Sequence, residues 1–194
     1  MRVDVASHAS HGRKYGPTFA HTWRAADGAT IGALAAVLAG QDPIVVADLL
    51  RTGAHALLTS RKALGTTLVA LDTIVRKHAH EHRDDDLAAA MLLIAIDPAG
   101  EEITYAGAGA AQMHVAVVDG AGALHPLHGH AVALGTGIDG PVESQHVRLR
   151  RDDAIVAATV PFPAGWWAAG NPTAESFLAR AGHPEASVLL VLPA

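Results

Sequence analysis

The sequence contains no cysteine. That excludes disulfides, thiol nucleophiles and thiolate-held metals, and it points to a cytoplasmic setting. Aromatic residues make up only 4% of the chain, so the core has to be assembled from small aliphatic side chains. No apolar run approaches the roughly 18 residues of a membrane span. The start, Met1-Arg2-Val3-Asp4-Val5, lacks the apolar stretch of a secretion signal. Lys and Arg total 14 against 19 Asp and Glu, a net charge of -5, and no basic cluster stands out. Neither a membrane nor a nucleic-acid backbone is therefore an expected partner.

What is present is an ordinary globular composition. Half of the 194 residues are hydrophobic and 17% are charged, which suits one domain over residues 1–194. Histidine is abundant, with 13 residues, so net charge is expected to change with pH near neutrality.

Residues 3–7 alternate apolar and polar side chains and predict a first strand, and residues 8–16 a loop. A second strand is expected over 19–25, a turn at Asp27-Gly28, and a buried strand over 31–38. Asp42 is placed to cap a helix with Pro43 at its first position. Val46, Leu49, Leu50, Ala54, Leu57 and Leu58 supply the apolar face of that helix. A second helix is expected to open at Thr66 or Thr67 and to run through Leu68, Leu71, Ile74 and Val75 toward His82. Arg83-Asp84-Asp85-Asp86 predicts a solvated polar turn rather than a cation site. Strands follow over 88–96, 102–107, 112–118, 123–127, 142–149 and 154–159, then a helix over 173–181 and a last strand over 187–192. This order is an α+β pattern with antiparallel sheets, not an alternating β-α-β wind.

From Asp27 onward the order of elements resembles the SpoIIE branch of the metal-dependent (PPM) protein serine/threonine phosphatases. The resemblance is best over 88–159. There, MLLIAIDPAGEEITYAGAGAAQMHVAVVDGAGALHPL looks like that family's strand, Asp-Pro turn, Tyr-Ala strand, Ala-Gly turn and hairpin. ALGTGIDGPVESQHVRLRRDDAIVAAT then resembles its Pro-Leu-Gly loop and the strand pair that follows. The two helices at about 43–59 and 66–82 sit where the family has two packed helices. The fold implied is two antiparallel β-sheets packed as a sandwich and flanked by helices. In active relatives two Mn²⁺ or Mg²⁺ ions, held by aspartates at one edge of that sandwich, activate the water that attacks a phosphoserine or phosphothreonine.

The positions that match those aspartates have lost them. The first motif, Gly-Asp-Phe-Tyr-Asp, corresponds to Gly16-Pro17-Thr18-Phe19-Ala20, with Pro17 and Ala20 in place of the acids. The second, Gly-Asp-Val and then Gly-His-Gly, corresponds to Ala35-Ala36-Val37 and Ala39-Gly40-Gln41, with Ala36 in place of the acid. The third, Thr-Asp-Gly-Val, reads Thr159-Val160-Pro161-Phe162. The fourth, a pair of aspartates before the last strand, leaves Glu185 as the one candidate acid in His183-Pro184-Glu185-Ala186. In a second register Ala26-Asp27-Gly28 would carry the metal motif, but no strand would then separate it from the second motif. Hard divalent cations need carboxylate oxygens, so no metal is expected to be held by this set. The alternative is Mn²⁺ or Mg²⁺ in a site remodelled around Glu185 and histidines.

Several features carry two readings. His8, His11 and His21 flank the degenerate first motif, His78 and His82 are one helical turn apart, and His125, His128 and His130 share a loop. They can be replacement ligands, or solvated residues of a histidine-rich chain. Trp166-Trp167, in the segment PFPAGWWAAGNP, can form a partner-binding patch or plug the space left by a shortened segment. Gly107 and Gly109 predict a tight inter-strand turn.

The function implied by the resemblance is a catalytically inactive SpoIIE-like pseudophosphatase. It would be a protein-binding scaffold in bacterial partner-switching signalling, with a phosphorylated regulator as partner and a homodimer left open. The alternative is an active serine/threonine phosphatase.

Overall fold

A computed structural model describes residues 1–8, 16–59, 63–100, 102–167 and 172–193. Two five-stranded antiparallel sheets lie face to face, with helices on both outer faces. The order of layers is a helix pair, a sheet, a second sheet and a single helix.

The first strands are β1 (Arg2–Ser7), β2 (Thr18–Arg24) and β3 (Thr30–Ala39). β2 and β3 form a hairpin whose tip is Asp27-Gly28, where Gly28 takes a positive φ of 89° and Asp27 Oδ1 accepts from the Ala29 N–H. Asp27 thus sits at a hairpin tip, at the opposite end of the β2–β3 pair from Thr18 and Ala36. The expected loop between β1 and β2 falls, for residues 9–15 and so for His11, outside the described residues.

Helices α1 (Pro43–Thr59) and α2 (Leu64–His82) pack on the outer face of β3 and its neighbours. α1 begins at the expected proline. α2 begins earlier than Thr66, at Leu64, and its Ala63 cap makes no side-chain bond. It ends at Arg83, whose left-handed φ of 54° closes the helix through bonds to the Ala79 and His80 carbonyls.

The next strands are β4 (Ala88–Ile96), β5 (Ile103–Ala108), β6 (His114–Val118), β7 (Leu124–Pro126), β8 (Gln145–Val147) and β9 (Ala154–Ala158). Helix α3 (Ala174–Ala181) and strand β10 (Ser187–Leu192) complete the chain. The sheet orders are β1-β10-β9-β6-β7 and β2-β3-β4-β5-β8. Four strand expectations shorten, those for β6, β7, β8 and β9. Residues 110–112 form a 3₁₀ turn rather than the start of β6, because Gly107 and Gly109 do not close a hairpin within one sheet. They lie where the chain crosses from one sheet to the other. β8 loses its first residues because Val142 turns inward to join the core beneath α1 and α2.

The alternation of each strand sorts its side chains between layers. In β10, Val188, Leu190 and Leu192 pack toward α3, while Leu189 and Val191 face the other sheet. In β3, Ala33 and Ala35 face the helices, while Leu34 faces the inter-sheet core. Small residues let the layers approach closely. A Cβ on Gly32 would come within 2.6 Å of the Leu189 Cδ1 methyl of the opposite sheet.

The polar turn after α2 is only partly solvated. Asp85 and Asp86 are exposed, but Asp84 is buried, and its Oδ2 accepts the Gln41 N–H at 2.7 Å. The carboxylate thereby ties the end of α2 to the segment leaving β3.

Candidate functional site

The strand ends that carry the degenerate positions meet at one end of the sandwich. Antiparallel pairing sets Thr18, at the start of β2, opposite Ala36, near the end of β3. It sets Ser7, at the end of β1, opposite Ser187, at the start of β10. The end of β9 lies beside the same stretch, with Ala158 opposite Val188.

The sequence-predicted residues divide between layers. Pro17 is half-buried, and its carbonyl accepts the Val37 N–H at 2.9 Å. Ala20 packs against the inter-sheet core. Ala36 is buried on the same strand face as Leu34, the face turned toward the other sheet. Val160 does not join them: it packs with Trp166 and Phe177 beneath α3. Glu185 is half-buried in the turn before β10, where its N–H bonds to His183 Nδ1 at 3.2 Å.

What occupies the seam between the two sheets is a set of hydroxyls. Thr18 Oγ1 lies 2.8 Å from Ser187 Oγ. Ser187 Oγ donates to Ser7 Oγ at 2.8 Å. Ser7 Oγ also accepts the Ala20 N–H at 2.8 Å. On the far side, the Ser187 N–H donates to Thr159 Oγ1 at 3.0 Å, and the Thr159 N–H donates to the Ser187 carbonyl at 3.0 Å. A hydroxyl has one hydrogen to give. Ser187 spends its own on Ser7, so Thr18 is the donor to Ser187. The bonds therefore run in one direction, from Thr18 through Ser187 to Ser7. Ser187 is fully buried while Ser7 reaches solvent.

This donor set does not fit a pair of hard divalent cations. Two such ions about 4 Å apart repel each other by roughly 16 kcal/mol at an effective dielectric near 20. Neutral hydroxyls and one carboxylate from Glu185 offer little to offset that. Among the described residues, no three His, Cys, Asp or Glu side chains gather closely enough to hold an ion.

Several of the described histidines engage other groups through their rings, and others through the backbone alone. His78 and His82 stack with ring centroids 4.1 Å apart, and His82 Nδ1 lies 2.9 Å from the His78 carbonyl. His125 Nε2 lies 2.9 Å from Asp119 Oδ2 across the β6–β7 turn, and this bond draws the half-buried Asp119 carboxyl below its ordinary range. His128 offers its carbonyl to Gln145 Nε2. His130 bonds through its backbone to Gly107. His8 donates its N–H to Ala186. His21 stacks on Trp23 at 5.7 Å. Burial first, then the charges of Arg51 and His55, lower its pKa below 6.5.

The two tryptophans also differ. Trp166 is 4% exposed, meets Phe177 edge-on at 4.9 Å and reaches Ser176 Oγ with its indole N–H. It fills the space under α3. Trp167 is half-buried and lines a surface cleft with Leu124, Phe162 and Pro163.

Sequence reasoning passed over Ser7, Thr18, Thr159 and Ser187, because isolated hydroxyl residues on three strands and just past a fourth form no motif. It also passed over Asp72, although a signal existed: an acid one turn from Leu68 on the apolar face of a helix needs a partner. Asp72 is buried. Its Oδ1 accepts from Gly135 at 2.8 Å and Gly137 at 3.4 Å, and its Oδ2 from Ile138 at 3.1 Å. It thereby holds the loop whose sequence resembles the family's Pro-Leu-Gly segment.

Helices outside two face-to-face antiparallel sheets are the architecture of the metal-dependent protein phosphatases, and solved structures of such phosphatases resemble this chain. One contains the RsbU and RsbW domains of a Mycobacterium tuberculosis protein, with TM-score 0.73 and 16% identity. The match covers 99% of this chain, which spans 60% of the length of that one. RsbX in complex with magnesium matches with TM-score 0.73 and 10% identity, covering 98% of this chain and 94% of that one. The S. agalactiae serine/threonine phosphatase matches with TM-score 0.72 and 13% identity, covering 100% and 99%. At these identities the likeness shows the fold alone. Membership comes from the sequence. The family model described as Stage II sporulation protein E (SpoIIE) matches residues 39–159, well over half of the chain, and the chain belongs to that family. No curated protein matches it by sequence. Among the described residues, no helix is long and apolar enough to cross a membrane.

Proposed function

We propose that residues 1–194 form one SpoIIE-type domain that works as a protein-binding regulatory scaffold in the cytoplasm, without phosphatase chemistry of its own. Its partner would be a phosphorylated or switch regulator of the kind handled in bacterial partner switching. The observation that supports this reading is the chemistry of the seam: neutral hydroxyls and alanines line it, and Pro17, Ala20, Ala36 and Val160, which resemble the family's acid positions, carry no carboxylate. A fold kept without its reactive groups retains its surface, and a surface can still recognise the regulators that relatives act upon.

The test has three arms. Calorimetric titration with Mn²⁺, Mg²⁺ and Zn²⁺ is expected to show no binding at the seam. Incubation with an aryl phosphate and a phosphoserine peptide is expected to show no turnover. A pull-down from a bacterial lysate is expected to recover a phosphoregulator. Metal binding accompanied by turnover would replace this reading with that of an active phosphatase.

A further inference from the structure

We infer that the Thr18–Ser187–Ser7 relay is a latch that closes the two sheets against each other at this end, so that the sandwich holds together without divalent ions. The inference rests on the scaffold reading, and it adds what took over at a seam that has no carboxylates.

The geometry is specific. Thr18 belongs to one sheet; Ser7, Ser187 and Thr159 belong to or adjoin the other. The Thr18–Ser187 bond crosses between sheets, and so does the bond from the Ala20 N–H to Ser7 Oγ. Thr159 extends the tie to the end of a fourth strand, β9, because its hydroxyl and N–H both engage the backbone of Ser187. Ser187 thus makes contact with β1, β2 and the end of β9 from a fully buried position. Ser187 receives a hydrogen bond from Thr18 and gives one to Ser7, and receiving the first strengthens the second in a low-dielectric interior. Removing one member strands its neighbours, and a stranded buried hydroxyl costs more than the bond contributed.

The experiment is urea unfolding of the whole chain and of the Thr18→Val, Ser187→Ala and Ser7→Ala variants, with EDTA or with excess MnCl₂. The wild-type midpoint is expected to be the same in both buffers. Ser187→Ala is expected to raise the unfolding equilibrium constant roughly tenfold. The Thr18→Val/Ser187→Ala double variant is expected to lose less than the sum of its parts, as groups in one network do. Hydrogen exchange supplies a local reading. The Ala20 amide should lose protection in Ser7→Ala and regain it in Ser7→Thr, which restores the acceptor. If Ser187→Ala fails to fold, the Ser7 pair and the Thr18 variant carry the test.

A wild-type midpoint that rises with Mn²⁺, additive losses at Thr18 and Ser187, or an Ala20 amide indifferent to Ser7 would each overturn the latch. Stabilisation by Mn²⁺ without turnover would sink the latch and leave the scaffold standing. Turnover would sink the scaffold reading whatever the unfolding data show.

Discussion

The Ile138 N–H donates to Asp72 Oδ2 at 3.1 Å, joining the loop after β7 to the middle of α2. Gly135 and Gly137 donate to the other oxygen of the same carboxylate. Gly135 takes a positive φ of 93°, and a Cβ there would lie 2.6 Å from the Leu87 carbonyl oxygen. The loop is therefore held by an acid it wraps and by a backbone it nearly touches.

Replacing Asp72 with Ala should leave these N–H groups, that of buried Ile138 among them, without their acceptor. The expected loss is about 3 kcal/mol of folding stability. Asn should recover part of it, since one amide oxygen still accepts. Urea unfolding of the two variants, with amide exchange at Gly135 and Ile138, measures both effects; an Asp72→Ala midpoint equal to wild type would refute the assignment.

The start of α2 sets a second prediction. A Cβ on Gly65 would lie 1.8 Å from the Val142 carbonyl oxygen. Elsewhere in a helix, Gly→Ala stabilises by about 1 kcal/mol. Here the obstacle is backbone, which cannot swing aside as a side chain can. Gly65→Ala should destabilise by roughly 1–3 kcal/mol, seen as a lower melting temperature. A higher one would show that residues near Val142 move freely.

His21 sets a pH dependence whose sign follows from its lowered pKa. Burial, the Arg51 charge and His55 all disfavour its protonated form in the folded chain. Below pH 6.5 the unfolded chain takes up a proton that the folded chain resists. Stability should therefore fall as pH drops through 6.5 toward the lower folded value, and this contribution should vanish above it. His21→Gln should flatten that part of the profile relative to wild type. Parallel profiles for the two proteins between neutral and mildly acidic pH would contradict the prediction.

Trp166 and Trp167 should behave differently on truncation. Trp166→Ala opens a cavity against Phe177 and removes one of the hydrogen-bond partners of Ser176 Oγ, so a loss of about 3–5 kcal/mol is expected. Trp167→Ala, at a half-buried position, should cost well under that. Equal losses in chemical denaturation would mean that the Phe177 contact does not anchor α3.

Local patterns made much of the fold legible in the sequence. Pro43 after Asp42 marked the start of α1, and the apolar runs over 88–96 and 187–192 marked β4 and β10 with their observed bounds. These signals depend on neighbours a few residues apart. The start of α2 was misplaced because Leu64 has no capping side chain before it. The 3₁₀ turn at 110–112 was missed because two glycines read equally well as a hairpin or as a crossing between sheets.

The sequence alone determined that this chain has a SpoIIE-type order of elements and that Pro17, Ala20, Ala36 and Val160 carry no carboxylate. Both follow from residue identity along a line. Only the tertiary structure decided what stands in the seam. Thr18 and Ser187 are 169 positions apart, and Ser7 and Ser187 are 180 apart. Their meeting depends on strand register and on which face each side chain takes. A shift of one residue moves every side chain to the other face, and this is why Thr159 reaches the seam while its neighbour Val160 packs beneath α3.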